Sequence, residues 1–373
     1  MSLHPGAIHA AHVCLPSTDL SADLAFYTAT LGFRLDTIFP ADDPSVATLS
    51  GYGVRLRLER GSTAPAATLR LVCHDPDAVA NGTRELTAPN GVRVLLAHAE
   101  TPLEMPPTTH AFVVRRLKDN TPWVIGRAGM HYRDLIPGRL GGSIIASHIR
   151  VPEAGPVPDM VHYHTVGFQL IYCYRGWVRL VYEDQGDPFM LHAGDCVIQP
   201  PQIRHRVLES SGGLEVIEIG VPAEHVTTID HDLTLPTATT NPTRVFGGQT
   251  FVRSELRDAQ WGPWRLAGFE GRETGIGDAT GGVASVQVAR ATGASSAQIT
   301  SHTSDILFTF VLAGAVTLRG EGQGAHPLQE GDAFVVPPGL KTALTDASPD
   351  CQLLEVSLPA HFETHTHPEG APT

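Results

Sequence analysis

Gly155-Pro-Val-Pro-Asp-Met-Val-His162-Tyr163-His164-Thr-Val-Gly-Phe-Gln169-Leu-Ile-Tyr-Cys-Tyr-Arg-Gly176 is the stretch whose reading decides the fold, together with Gly194, Pro200 and His205 downstream of it. His162 and His164 are two residues apart, so on a strand they point to the same face. Gly176 and Gly194 stand where tight turns need them, and Pro200-Pro201 ends a strand before His205. Three imidazoles and one amide oxygen converge on a single ion only if the strands carrying them roll into a small barrel. Neutral imidazole suits Fe, Ni, Cu and Zn. His162, His164 and His205 are therefore candidate metal ligands, with Gln169 as a fourth. The alternative is a barrel whose histidines merely hydrogen-bond one another. It must account for three histidines on one interior face, where polar side chains cost free energy unless partnered.

The spacing resembles the two signature motifs of the cupin superfamily. The first family motif is Gly-x5/6-His-x-His-x3/4-Glu-x6-Gly, and here it reads Gly155, His162, His164, Gln169, Gly176. Glutamine stands where the family usually has glutamate. The second is Gly-x5-Pro-x-Gly-x2-His-x3-Asn, and here it reads Gly194, Pro200, Gln202, His205, Glu209. Gln202 and Glu209 depart from the pattern, but every metal-relevant spacing holds. The resemblance implies a jelly-roll barrel around one divalent ion, Fe(II) first, with Mn, Ni, Zn or Cu as alternatives.

An internal repeat extends this reading. Gln169 to Gly186 aligns with Leu307 to Gly324 at an offset of 138, so Gly176 meets Gly314. After a one-residue deletion the offset is 137: Gly194-Asp195 meets Gly331-Asp332, Pro200-Pro201 meets Pro337-Pro338, and Glu218 meets Glu355. The second copy resembles a second cupin barrel, which makes the C-terminal two-thirds a bicupin. The ligand positions change: His162 becomes Thr300, His164 becomes His302, Gln169 becomes Leu307 and His205 becomes Thr342. One histidine does not hold a transition metal alone, so the second barrel is expected to be metal-free. Glu218, kept as Glu355, reads as a structural residue.

The first hundred residues differ in pattern. Ile8 to Leu15 reads as a strand. Ser17 to Leu31 carries helix signals, with Thr18 or Asp19 as cap, Leu20, Leu24, Tyr27 and Leu31 near helical spacing, and Gly32 as terminator. Arg34 to Phe39, Ser45 to Gly51 and Val54 to Arg60 read as three more strands. This βαβββ order resembles one module of the vicinal-oxygen-chelate (glyoxalase/bleomycin-resistance) superfamily. The likeness is carried by His12-Val13, Asp19-Leu20, Phe26-Tyr27, Leu31-Gly32-Phe33 and the strand ending in Glu59. In metal-binding members the first-strand histidine and the last-strand glutamate are ligands, so His12 and Glu59 fall at matching positions. Thr68 to Cys73 and Gly91 to Ala97 read as weaker strands, with a short helix around Pro76 to Asn81 and no second His/Glu pair.

The expected chain is mainly β: two tandem cupin barrels preceded by a small α+β glyoxalase-like domain. The divisions are 1–108 for that domain, 109–228 for the metal-binding barrel, 229–245 for a Pro- and Thr-rich linker, 246–362 for the metal-free barrel and 363–373 for a frayed tail. Hydrophobic residues make up 42%, ordinary for a globular chain, and no apolar run reaches membrane length. Met1 to Ala11 lacks the pattern of a secretory signal, and five cysteines without a CxxC pair argue against a disulfide framework, so a cytoplasmic location is expected. A net charge of −13 speaks against nucleic-acid binding. There is no Walker loop and no GxGxxG after a strand, so nucleotide binding has no support. A small-molecule substrate and a homodimer are the expected partners.

Three neutral histidines leave a divalent ion with positions for water, substrate or O2. Gln169 is a neutral oxygen donor: a ligand, a holder of bound water, or a substrate contact. With it the centre keeps a formal 2+ charge, which favours an enolate, catecholate or carboxylate. Glu209 lies two alternations after His205 and is the candidate general base at the barrel mouth. Cys173 shares the face of Gln169 and Ile171 and reads as a packed core residue. His148 is either close to the metal site or structural, and Arg204 and Arg206 alternate away from His205 towards outer salt bridges. Three-His cupins include bicupin aromatic-acid dioxygenases and diketone-cleaving enzymes. The resemblance therefore implies a mononuclear non-haem Fe(II) dioxygenase cleaving an aromatic acid, a diketone or an enol. A metal-dependent isomerase, lyase or hydrolase is the alternative, and so is a non-catalytic metal- and small-molecule-binding protein.

Overall fold

The computed structural model describes residues 10–40, 44–99, 103–119, 122–126, 129–293 and 298–368. The chain divides into two compact units, Met1–Pro102 and Leu103–Thr373.

The first unit opens with β1 (Val13–Ser17), α1 (Leu20–Ala25), β2 (Arg34–Phe39), β3 (Val46–Gly51) and β4 (Val54–Arg60). The expected strand thus begins at Val13, and Ile8 lies outside the described residues. Asp19 caps α1, its Oδ1 accepting from the amides of Ser21 and Ala22 at 3.1 Å each. The helix runs on through one wide turn, Phe26–Thr30, to Gly32, whose φ of +75° suits glycine. The sheet order is β1-β4-β3-β2, with β1 and β4 parallel. A second set follows: β5 (Thr68–Cys73), α2 (Pro76–Ala80), β6 (Glu85–Thr87) and β7 (Arg93–His98). Its order is β5-β7-β6, with β5 and β7 again parallel, so it repeats the first plan with one strand fewer. One core serves both sheets, built from Leu15, Tyr27, Leu49 and Leu58 with Val92, Val94 and Leu96.

His12 and Glu59 do not come together. The parallel register sets Pro16 opposite Glu59 and Val13 opposite Leu56. His12 therefore sits four positions from Glu59 along the ladder, about 13 Å at the usual strand rise. Glu59 instead pairs with Arg57 on its own strand.

The second unit is two barrels of the same design. In the first, Cys196–Ile198, Phe168–Arg175, Leu214–Val221 and Ile145–Val151 form the centre of one sheet. Phe189–His192, Trp177–Tyr182, His205–Ser210, His162–His164 and Thr227–Ile229 form the other. The second barrel repeats this strand for strand. Ala333–Val335, Ile306–Ala313, Gln352–Leu358 and Ser285–Ala291 answer the first sheet, and the sheet from Gly324–Gln329 to Thr364–His367 answers the second. The ladders agree residue by residue: His162 faces His205 in one barrel, and Thr300 faces Thr342 in the other.

The strands Phe168–Arg175 and Ile306–Ala313 are almost continuously apolar because both their faces are covered. Ile171 and Cys173 face into their own barrel. Leu170, Tyr172 and Tyr174 face the other way and join Phe308, Phe310, Leu354 and Val356 in a core shared by both barrels. His148 belongs to this seam and not to the metal site. Its ring lies 5.6 Å from that of Tyr174 and 5.7 Å from that of Phe310. Its Nε2 donates to Glu215 at 2.6 Å, and Arg133 donates to its Nδ1 at 3.2 Å.

The barrels also exchange short arms. Val113–Arg115 precedes the first barrel but pairs with Ala333–Val335 of the second. Arg253–Ser254 precedes the second barrel but pairs with Cys196–Ile198 of the first. Each arm is pinned alike: the Leu117 amide donates to Asp332 at 2.8 Å and the Leu256 amide to Asp195 at 2.7 Å. Arg133 donates to the Gly331 carbonyl at 2.6 Å, and Arg272 donates to that of Gly194. Sequence divisions at 109 and 246 leave these exchanges out of view.

One further difference from the sequence reading concerns the end of the second barrel. Thr364–His367 is no frayed tail but a strand on Ile299–His302, and His367 lies 2.8 Å from the Ser301 hydroxyl. The expected tail residues 369–373 lie outside the described residues. Among the described residues no helix is long and apolar enough to cross a membrane.

Candidate metal centre

The short strand His162–His164 turns both histidines to the barrel interior and leaves Tyr163 outside, where Arg204 lies 4.2 Å over its ring. Arg204 also pairs with Asp230 at 3.2 Å, the outward role its alternation predicts. His205 opens the neighbouring strand directly opposite His162. The ring centres of His162 and His205 are 4.2 Å apart, with His164 at 5.1 Å from the first and 5.3 Å from the second. One ligand atom from each lies within 4.8 Å of the others. Among the described residues this is the one group of three or more potential metal-binding side chains.

The outer ring nitrogens fix the tautomers. His162 Nδ1 lies 2.7 Å from the Met160 carbonyl, and His205 Nδ1 lies 3.0 Å from the Ile203 carbonyl. A carbonyl only accepts, so both Nδ1 atoms carry the proton and the lone pair sits on Nε2. His164 Nδ1 meets the Thr227 hydroxyl at 2.9 Å. Asp159 stands behind His162, Oδ1 to Nδ1 3.7 Å, and Oδ2 accepts from the Val207 amide at 2.9 Å. Such outer contacts orient ligating histidines.

Gln169 is 1% exposed. Its Nε2 donates to Glu218 Oε1 at 2.6 Å, and its Oε1 is buried with no hydrogen-bond partner. An amide oxygen buried in this way costs free energy unless something accepts its lone pairs. A divalent ion held by the three imidazoles would do so. The donor set, three Nε2-ligating imidazoles with one amide oxygen, fits a borderline divalent metal.

The histidines line a cavity of about 70 Å³. Its other walls are mostly aliphatic, with Ile149, Val151, Ile171, Val178, Leu180 and Val216 among them, and Gln199 and Glu218 supply polar edges. Gln199 donates to the Tyr182 hydroxyl at 2.9 Å, and the Tyr182 ring stacks on His205 at 5.5 Å. Burial pushes the Cys173 thiol up to about 12, so it is a core residue and no nucleophile. A larger groove of about 710 Å³ opens at the second barrel, lined by Trp261, Trp264, Arg265, Glu355 and Phe362 among others. It holds no metal-binding group of three among the described residues.

Glu209 is not in the cavity. The ladder pairs Arg179 with Glu209 but Leu180 with Val207, so Leu208 is an extra, bulged residue. His205 and Val207 point inward, and the bulge turns Glu209 out to the surface, 3.8 Å from Arg179. Simple alternation misses this. Sequence reasoning also missed three residues. Glu218 lines the cavity although its recurrence as Glu355 suggested a purely structural role. Gln199 lines it too, and the signal for it was its place just before Pro200-Pro201. His225 packs its ring 5.4 Å from that of His164 from a loop that no spacing rule reaches.

No family model matches the chain, and no curated protein does. Solved structures do. A salicylate 1,2-dioxygenase from Pseudaminobacter salicylatoxidans superposes with a TM-score of 0.52 at 16% identity, covering 71% of this chain and 91% of its own. A single-site mutant of the oxalate decarboxylase OxdC of Bacillus subtilis gives 0.51 at 12% identity, covering 72% and 80%. The fold is a bicupin. At these identities the likeness shows the fold alone. Within the bicupin, the barrels differ at three of the four candidate metal positions: His162, Gln169 and His205 against Thr300, Leu307 and Thr342.

Proposed function

We propose that this bicupin is a mononuclear metal-dependent enzyme, a non-haem Fe(II) dioxygenase that cleaves a small oxygenated substrate in its first barrel. The observation that carries the reading is the convergence of His162, His164 and His205 on a small cavity with aliphatic walls. Fe(II) held there would supply a site for O2 and for a chelating substrate oxygen pair. The residues of the chain do the rest. His162 and His205 are locked by carbonyls, Tyr182 stacks against His205, and mostly aliphatic walls line the reacting face.

Size narrows the substrate class. An apolar cavity of about 150 Å³ takes one benzene ring, so about 70 Å³ falls short of what an aromatic acid needs. A small enol or β-diketone fits that room better than an aromatic acid. The test is anaerobic loading with Fe(II), followed by O2 uptake with pentane-2,4-dione and with gentisate. Uptake with the diketone and not with gentisate is the expected outcome. Tight binding of either compound without O2 uptake would instead favour a non-catalytic binding protein.

A further inference from the structure

We infer that Glu218 is the positioning residue that aims the amide oxygen of Gln169 at the metal ion. This rests on the metal reading of the three histidines given above. A glutamine side chain can present either its oxygen or its NH2 group to a site, and only the oxygen binds a cation. An ionised carboxylate accepts hydrogen bonds and donates none. Glu218 Oε1 lies 2.6 Å from Gln169 Nε2, so the bond turns the NH2 group to Glu218 and the oxygen away from it. That oxygen is the buried atom with no hydrogen-bond partner.

The internal repeat separates this duty from a purely structural one. The rung is occupied by a carboxylate in both barrels: Ile171 faces Glu218 and Thr309 faces Glu355. In the second barrel the position of Gln169 is Leu307, which offers Glu355 no hydrogen bond. Glu355 is held by Arg265 instead, whose Nε donates to its two oxygens at 2.8 and 3.1 Å. The carboxylate therefore belongs to the barrel, whereas the amide that contacts it occurs only in the barrel with the histidine triad. In the first barrel a residue of the fold has gained a second use, the orientation of a ligand.

A double-mutant cycle read by cobalt binding tests this. The full-length protein, E218Q, Q169L and Q169L/E218Q are freed of metal and titrated with Co(II) under argon, with affinity and the visible cobalt spectrum recorded. An amide in place of the Glu218 carboxylate can donate as well as accept, so E218Q releases the Gln169 side chain to either orientation. E218Q and Q169L are each expected to weaken cobalt binding about 10–100-fold with a changed spectrum, and E218Q is expected to cost under about threefold more in the Q169L background. Wild-type affinity and spectrum in E218Q would overturn the inference. So would an equal loss from E218Q in both backgrounds, which marks a role that does not pass through Gln169. Should E218Q fail to fold, the exchange Q169E/E218Q keeps one carboxylate and one amide in the pair. It is expected to bind cobalt at least as tightly as wild type, and binding more than about tenfold weaker would overturn the inference. A wild-type protein that binds no cobalt overturns the metal reading and this inference together.

Discussion

At the scale of single residues, the chemistry separates from the fold by comparing each barrel with its own copy. His162→Ala, His164→Ala and His205→Ala are each expected to strip most of the bound metal, measured as metal per chain after dialysis. His302→Ala and Thr342→Ala are expected to leave it unchanged, because their barrel offers no triad among the described residues. Glu209→Gln should shift metal content and O2 uptake by less than about twofold, since its carboxylate faces Arg179 at the surface. The two histidines of the first motif and His205 were legible in the sequence because their spacing resembles two motifs that a barrel of this kind brings together. Glu209 was not, because a single bulged residue, Leu208, inverts every alternation beyond it and leaves no mark in a one-dimensional pattern. Glu218 was hidden for the opposite reason. Its recurrence at 355 made it look like scaffold, and a scaffold residue can still touch a site.

At the scale of elements, the turn glycines were read correctly as turns but incompletely. Gly194 and Gly331 adopt φ of +93° and +88°. A Cβ on Gly194 would lie 2.6 Å from Leu256 Cδ2, and one on Gly331 would lie 2.9 Å from Leu117 Cδ2. Each glycine thus both makes a turn and seats the arm of the other barrel. Alanine at either is expected to lower stability by about 1–3 kcal/mol, from backbone strain and crowding together. Urea melts check this, with Gly213→Ala as the comparison, where φ is +69° but a Cβ would meet nothing within 4 Å. The arms could not be foreseen. Pairing between Val113–Arg115 and Ala333–Val335 joins residues about two hundred positions apart, and nothing local announces it. In the first unit the βαβββ order was legible from periodicity, whereas the distance between His12 and Glu59 depended on register, which periodicity leaves open.

At the scale of the whole molecule, the seam between the barrels carries a charge that responds to pH. Burial lowers the affinity of His148 for a proton, although the hydrogen bond to Glu215 works the other way. Burial pushes the Glu215 carboxyl up, but His148, Arg150 and Arg175 outweigh it and hold the group below its ordinary value. Both folded groups therefore bind fewer protons than in the unfolded chain. Their contribution to stability is present above the ordinary histidine value of about 6.5, and it is lost as pH falls, first through His148 and then, below about 4.5, through Glu215. Thermal melts from pH 8 to pH 5 should show a falling midpoint below about pH 6.5, and His148→Gln should flatten that fall.

The reciprocal arms have a further consequence. Each barrel borrows one edge strand from the chain that leads into the other, so neither is closed by its own residues. Two independent copies of such a barrel would meet the same need by trading arms across a subunit boundary. Here both partners of that trade are written into one polypeptide. The tandem is the single-chain counterpart of such a dimer, with its one-to-one stoichiometry set by translation. One barrel can then carry the full histidine triad while the other does not, an asymmetry that identical subunits cannot reach.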